Sequence, residues 1–490
     1  MKLKTFSPTK KMTGIIAGGL ACTFSIASCV QGPEKSKPLN FVVIMADDVS
    51  PEMYGCYGNK NANTPNIDRL AANGIKFTTC WAAPICSPSR AMIMTGRYAH
   101  RTGWYHNALR VPDLNGDTDF LKNNVTFLSL LKASGYTTAL AGKWQLPSNM
   151  NSPNAGLDEY CIWEPGKTLL PAGSDFKGLS EDENTLARYW YPSIVQNGKL
   201  VNTTENDFGP DIVTAFLTDF IERNKDKPFL AYYPMILPHG TRSGRTTTPL
   251  TGIKGDHTNG TFQENVDYTD LLVGRIIAEL EKHNLLQNTV VIFTSDNPMP
   301  NKNHATDLGL TVPFIVHCPA IIKNNHTSDE LISFADILPT LTDIAGATIP
   351  DGYIIDGKSL APYLRGETQT HREWLFSYVG TAKMIRNKKW VLEAVDPWSG
   401  IPDGRLYEKI DNKNVLVGEM TNEAKEVRKK FDEVLALYPA PDTSNAIVKS
   451  ILKDYAVYQF RHKTERGAVM ETERRKGPGN AERKKKQTVE

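Results

Sequence analysis

Phe41-Val42-Val43-Ile44-Met45-Ala46-Asp47-Asp48 is an apolar run that stops abruptly on two acids. A strand with one wet face alternates apolar and polar residues. A continuous apolar run marks a strand covered on both faces, the habit of parallel sheets in α/β proteins. The pattern recurs along the chain. Thr137 to Leu140 runs into Gly142-Lys143, Phe229 to Leu237 into His239, and Thr289 to Thr294 into Asp296-Asn297. Helical signals lie between these runs. Asn66 to Asn73 reads as a short helix stopped by Gly74. Val266, Val273, Ile276, Ile277 and Leu280 fall at helical spacing between Phe262 and Leu280. The alternation implies an α/β fold: a large, mostly parallel central sheet flanked by helices. In open α/β sheets ligands bind beyond the carboxyl ends of the strands, so the polar strand exits are expected to line one site.

Outside this core the pattern weakens. Trp390-Val391-Leu392 and Leu406-Tyr407 suggest a smaller C-terminal α+β subdomain over residues 366–465, after a catalytic unit over 38–365. Residues 466–490 read as a basic, solvated tail. The chain has 490 residues, ample for a large core, and no internal repeat is evident. Lys and Arg number 56 against 54 Asp and Glu, a balance that gives no case for nucleic acid or a membrane surface as the main partner.

Residues 1–28 read as a targeting segment: Lys2, Lys4, Lys10 and Lys11, then a short apolar stretch from Met12 to Ser28. Ile26-Ala27-Ser28-Cys29 resembles a bacterial lipobox, which implies a lipid anchor on Cys29; the alternative is an ordinary secretory signal cut nearby. Cleavage there removes four lysines and no acids, so the formal charge goes from +2 to −2. Residues 29–37 form a polar tether. Val30-Gln31-Gly32-Pro33 lacks an acidic cluster, which favours the periplasmic side of a bacterial envelope. Membrane contact is expected only through the lipid. Of seven cysteines, Cys56, Cys80, Cys161 and Cys318 are left as candidates for disulfides in an oxidising compartment, with no pairing legible in the sequence.

Cys86-Ser87-Pro88-Ser89-Arg90, followed by Ala91-Met92-Ile93-Met94-Thr95-Gly96-Arg97, carries the strongest chemical signal. A cysteine opens an apolar helix, whose unpaired N–H groups and dipole favour an anion. Arg90 lies one turn further in. This describes an anion-binding nucleophile site; the plain alternative is a buried cysteine near a cap.

Cys-x-Pro-x-Arg with Thr-Gly-Arg resembles the signature of type I, formylglycine-dependent sulfatases, of the alkaline-phosphatase-like superfamily. The resemblance spans roughly residues 38 to 410, including Asp336-Ile337-Leu338-Pro339-Thr340 and Asp356-Gly357-Lys358-Ser359-Leu360. It implies that a maturation enzyme oxidises Cys86 to formylglycine (3-oxoalanine), whose hydrate is the nucleophile, steadied by Arg90. It implies one calcium ion on Asp47, Asp48, Asp296 and Asn297, with the matured Cys86 as a further ligand. It assigns Lys143 and Lys302 to the sulfate oxygens and His239 to protonation of the leaving alcohol. The implied substrate is a sulfated carbohydrate, such as a mucin, glycosaminoglycan or algal fragment.

Two departures stand out. The family usually has Lys-Trp-His where this chain has Lys143-Trp144-Gln145, and Gln145 hydrogen-bonds but takes up no proton. The family also favours Gly after Asp-Asn, where this chain has Pro298. Gln145, His100, His106, Asn107, Arg242 and Arg245 are candidates for sugar contacts; the alternative for each of the last five is a structural or solvent-exposed place. Two rival readings remain: a phosphodiesterase or phosphonate monoester hydrolase of the same superfamily, and a non-catalytic glycan-binding homologue.

Overall fold

The computed structural model describes residues 37–107, 109–110, 119–163, 188–240, 245–250, 256–411, 413–446, 448–450 and 452. The elements of the fold all lie in the unit that begins at Pro38. The expected signal, Cys29 and the basic tail lie outside the described residues, as does Arg242.

The expected strands form, and others join them. In chain order they are β1 (Asn40–Ala46), β2 (Ile75–Trp81), β3 (Trp104–His106), β4 (Leu109–Arg110), β5 (Thr137–Lys143) and β6 (Glu159–Trp163). Then come β7 (Ile194–Gln196), β8 (Lys199–Leu200), β9 (Phe229–Pro234), β10 (Thr289–Ser295), β11 (Phe314–His317) and β12 (His326–Ser333). Ten of these build one sheet in the order β12-β2-β11-β10-β1-β9-β5-β6-β7-β8. Its middle, β10-β1-β9-β5-β6, is parallel throughout. Antiparallel strands occur on both sides, β11 between β10 and β2, and β7 and β8 beyond β6. The sheet is therefore mixed but mostly parallel. β3 and β4 pair as a separate ribbon.

Both faces of the sheet are covered, which explains the unbroken apolar runs. Along β1, Phe41, Val43 and Met45 enter one hydrophobic cluster, while Val42, Ile44 and Ala46 enter another on the opposite face. Covering the second face are the helices Gly209–Arg223 and Phe262–Lys282. The latter starts in a capping box formed by Thr261 and Glu264. Its Asp270 accepts from the backbone N–H groups of Asn66 and Ile67, capping the Pro65–Ala72 helix beside it. On the first face lies the Cys86–Thr95 helix, buried at every position.

A second sheet is antiparallel: β13 (Leu375–Val379), β14 (Ala382–Arg386), β15 (Trp390–Val395), β16 (Arg405–Ile410) and β17 (Lys413–Leu416) in sequential order. With the Asn422–Ala436 helix it makes the expected α+β portion. It shares its core with the main sheet, since Phe376, Ile385, Leu392 and Phe431 belong to the same cluster as Phe41. The four cysteines left open for disulfides, Cys56, Cys80, Cys161 and Cys318, are all free thiols. Three of them sit in apolar core clusters, each at 0% exposure, as small hydrophobic residues. Among the described residues no helix is long and apolar enough to cross a membrane.

The end of β5 is a tight point. Gly142 has φ 126°, and a Cβ there would lie 2.0 Å from the Pro234 carbonyl oxygen of β9. Gly135 also has positive φ, 91°, but open space around it. Backbone strain alone costs about 1–3 kcal/mol for a residue with a side chain. Gly142→Ala is therefore expected to destabilise the protein more than Gly135→Ala, because only the former also forces β5 from β9. Equal denaturation midpoints for the two variants would show that this close approach does not matter.

Candidate active site

The strand exits converge because the β-ladder continues past the strands. Asp47 N–H donates to the Leu237 carbonyl, and Asp296 N–H to the Ala46 carbonyl, both at 3.0 Å. Val49 N–H reaches the Asn297 carbonyl at 3.1 Å. Asp48 then turns with φ 63°, a conformation rare outside glycine, and its N–H donates to Asp296 Oδ1 at 3.1 Å. The result is a buried cluster of Asp47, Asp48, Asp296 and Asn297, none more than 4% exposed.

Arg90 links this cluster to the Cys86–Thr95 helix. Its Nη2 lies 2.7 Å from Asp296 Oδ2 and 3.7 Å from Asp47 Oδ1, and its Nη1 donates to the Lys143 carbonyl at 2.7 Å. Lys143 Nζ is 2.7 Å from Asp47 Oδ2. Lys302 Nζ is 2.6 Å from Asp48 Oδ1. His239 Nε2 stands 3.3 Å from Asp48 Oδ2. All the residues expected at the centre of the site thus meet, including Lys302 beyond the Pro298 turn.

Burial and charge set the protonation of the group. Burial pushes Asp47 upward, but Lys143, His239, Arg90 and Lys302 outweigh it and hold the carboxyl far below its ordinary range. Asp48 is likewise lowered, against its burial, chiefly by Lys302 and His239. Asp296 goes the other way, up to about 7, through burial and then the neighbouring Asp47 charge. His239 falls to about 4 because burial outweighs the pull of Asp47. His106 also falls to about 4 through burial.

The donor set fits a hard cation. Asp47 Oδ1 and Asn297 Oδ1 are both buried without a hydrogen-bond partner. An unsatisfied buried oxygen is costly unless a ligand completes it. Ligand atoms of Asp48, Cys86 and Asp296 lie within 4.8 Å of one another, as do those of Asp47, Asp48 and His239. Carboxylate and amide oxygens are what calcium or magnesium takes.

Cys86 opens its helix, only 2% exposed, with Ile85 in extended conformation before it and no cap from Ile85 itself. Gln145, at φ 64°, places Nε2 3.5 Å from Cys86 Sγ. Asn107 Nδ2 lies 3.6 Å from the same sulfur. Other expected residues go elsewhere. His100 packs on the Tyr438 ring and lies 3.7 Å from Asp356. Arg245 donates to the Pro238 carbonyl and stacks over Phe262, on the loop that carries His239.

The segments around Asp336 and Gly357 are scaffold. Asp336 accepts from the Lys358 N–H at 2.8 Å and also holds His371 and Arg372. The Asp356 N–H donates to the Gly96 carbonyl, at the end of the Cys86–Thr95 helix. Two residues of the site have no counterpart in the sequence reading. Arg188 contacts His239 Nδ1 and the Gly240 carbonyl and lies over the Trp163 ring. Tyr189 donates from its hydroxyl to the Ile236 and His239 carbonyls. The only signal for them is the aromatic stretch Arg188-Tyr189-Trp190-Tyr191, which has no periodicity to interpret.

Comparison with known proteins agrees with this geometry. The sulfatase family model matches residues 39–347. Rat (Rattus norvegicus) steryl-sulfatase is 30% identical over 69% of this chain and 72% of its own length. An ulvan-active sulfatase of Formosa agariphila is 27% identical over 72% of this chain and 65% of its own. A solved structure in complex with its substrate D-glucosamine-2-N,6-O-disulfate superposes with a TM-score of 0.57, at 22% identity, over 82% of this chain and 97% of the other. The match spans more than half of the chain and contains every residue of the cluster around Cys86: the protein belongs to the sulfatase family and is a sulfuric ester hydrolase.

Proposed function

We propose that the protein removes sulfate esters from glycans, with Cys86 matured to formylglycine and calcium held by Asp47, Asp48, Asp296 and Asn297. The observation that carries this reading is the convergence of Cys86 Sγ with the Asp48 and Asp296 carboxylates at a helix N-terminus. A sulfated sugar as substrate is favoured by two relatives, one named for ulvan and one solved with a disulfated glucosamine. Export and lipidation at Cys29, in a bacterial envelope, extend the same reading.

Matured and hydrated, residue 86 would be held by the helix that Arg90 fixes and by Gln145, and would supply an oxygen nucleophile for sulfur together with an internal route for sulfate release. A divalent cation supplies charge neutralisation beside it. The chain's own groups do the rest. Arg90 fixes the helix against Asp296, so position 86 stays over the carboxylates. Lys143 and Lys302 supply positive charge for sulfate oxygens. His239 is placed to protonate the leaving alcohol, held from behind by Arg188. Gln145 holds the nucleophile by donation alone.

Cys86→Ala is expected to abolish turnover of sulfated saccharides while leaving the melting temperature near that of wild type. Residual activity within tenfold of wild type would remove Cys86 from the chemistry. Chelator is expected to inactivate the enzyme and lower its melting temperature, and added calcium to restore both, since a ligand bound only to the folded state stabilises it. Activity and melting temperature indifferent to chelation would exclude the four proposed ligands. A general base contributes about 10²–10⁴-fold, so position 145 discriminates between orientation and proton uptake. Gln145→His is expected to change kcat only a few-fold, and Gln145→Ala to cost more. A hundredfold gain with histidine would mean that the site lacks a base it needs.

A further inference from the structure

The Cys86–Thr95 helix has no cap of its own, since Ile85 at its N-cap has no side-chain acceptor. The cap arrives from elsewhere in the chain. Asn107, just after β3, accepts the Ser87 N–H on its Oδ1 at 3.0 Å. This contact settles which end of the carboxamide is which: a backbone N–H needs the oxygen, so the amide nitrogen must face the other way. Facing the other way is Cys86 Sγ, 3.6 Å from Nδ2. Gln145 Nε2 approaches the same sulfur at 3.5 Å. The side-chain hydrogen bonds made to Cys86 among the described residues thus come from two neutral amides.

We propose that Asn107 is a further functional residue of the site: one end of its carboxamide caps the nucleophile's helix, and the other donates a hydrogen bond to the nucleophile. The inference rests on the reading of Cys86 as precursor of the nucleophile. In the matured chain a hydroxyl oxygen on Cβ takes the place of Sγ. An amide N–H takes no proton, but it stabilises an oxygen that is losing one, as preorganised donors do wherever negative charge develops. Two such donors, Asn107 and Gln145, converge on the position that Sγ occupies. The cap also fixes the donor, because a carboxamide is planar: with Oδ1 held on Ser87, Nδ2 has little freedom. Asn107 therefore belongs to the nucleophile itself, whereas a sugar contact would act on substrate affinity.

Two substitutions separate cap from donor. Asn107→Asp keeps an oxygen for the Ser87 N–H, and aspartate caps as well as asparagine, but the N–H donor is lost. Asn107→Ala loses both. Each is prepared with calcium, and the matured fraction of residue 86 is measured by peptide mass spectrometry. Rates on a sulfated saccharide are then expressed per matured site. Loss of one preorganised donor costs about 10²–10³-fold in kcat elsewhere, and with Gln145 still present a fall of at least about tenfold is expected for both variants. KM should stay within about threefold, by the same reasoning that the donor acts on the transition state and not on bound substrate. The melting temperature should fall for Asn107→Ala and hold for Asn107→Asp. The proposal is overturned by a smaller fall in kcat for either variant, by a loss that appears in KM, or by an unchanged melting temperature for Asn107→Ala. If Asn107→Ala does not fold, Asn107→Asp alone decides the kcat comparison. An active wild-type protein with an unmodified Cys86 thiol would sink the formylglycine reading, whereas a matured residue 86 with normal Asn107 variants sinks only the present inference.

Discussion

A single guanidinium holds the site together. Arg90 is 1% exposed and joins three elements at once: its own helix, Asp296 beyond β10, and the Lys143 carbonyl at the end of β5. Asp47, beyond β1, is within reach of the same nitrogen. Removing one partner of such a buried pair costs about 3–5 kcal/mol, because the other charge is left stranded. Replacing a whole buried pair with apolar side chains is often neutral for stability. The arrangement is therefore better understood as geometry than as adhesive. It sets the distance from Cys86, at the opening of the helix, to the carboxylates, the distance on which the proposed chemistry depends.

The scaffold around Arg90 has the same purpose. The helix it belongs to is capped at one end by Asn107 and stopped at the other by Gly96, which is left-handed with φ 68°. Gly96 in turn accepts from Asp356 and Gly357, which are tied to the segment around Asp336. A Cβ on Gly357 would lie 1.8 Å from the Ala335 carbonyl, so only glycine lets the two segments meet. Motifs far apart in the chain thus fasten one buried helix against the strand ends.

This separates what could be read from the sequence from what could not. The parallel middle of the sheet was legible because burial on both faces forces an unbroken apolar run, and several such runs of strand length, each ending on polar residues, require a sheet covered on both sides. Asp47, Asp48, Asp296 and Asn297 were legible as strand exits because polar side chains next to such a run are conspicuous. The antiparallel insertion of β11 was not, since a short apolar strand carries no mark of its direction. The state of the thiols was not legible, because a cysteine count reflects compartment chemistry, while pairing needs two chain segments to meet. Arg188 and Tyr189 escaped notice because they act through the backbone and ring of His239, a relation that only tertiary structure creates. Asn107 was visible as a polar residue beside the site, but its dual role depends on where a loop lands.

Charge balance links the two ligands of the proposed reading. Lys143 and Lys302 are held by Asp47 and Asp48, and Arg90 by Asp296, so buried cations and carboxylates are matched one for one. An isolated sulfate ester would have to draw the lysines away from their partners and leave carboxylates buried and unpaired, which is expensive. An isolated divalent cation would have to displace ammonium groups from the same carboxylates. Under the proposed reading each ligand removes the cost of the other: cation on the carboxylates releases the lysines, and an anionic ester takes them up. Binding free energies coupled in this way are reciprocal, so whatever cation does for substrate affinity, substrate does equally for the cation. The orphaned oxygens of Asp47 and Asn297 point to the same conclusion, because the protein's own cations satisfy the charge of the cluster without satisfying all of its lone pairs.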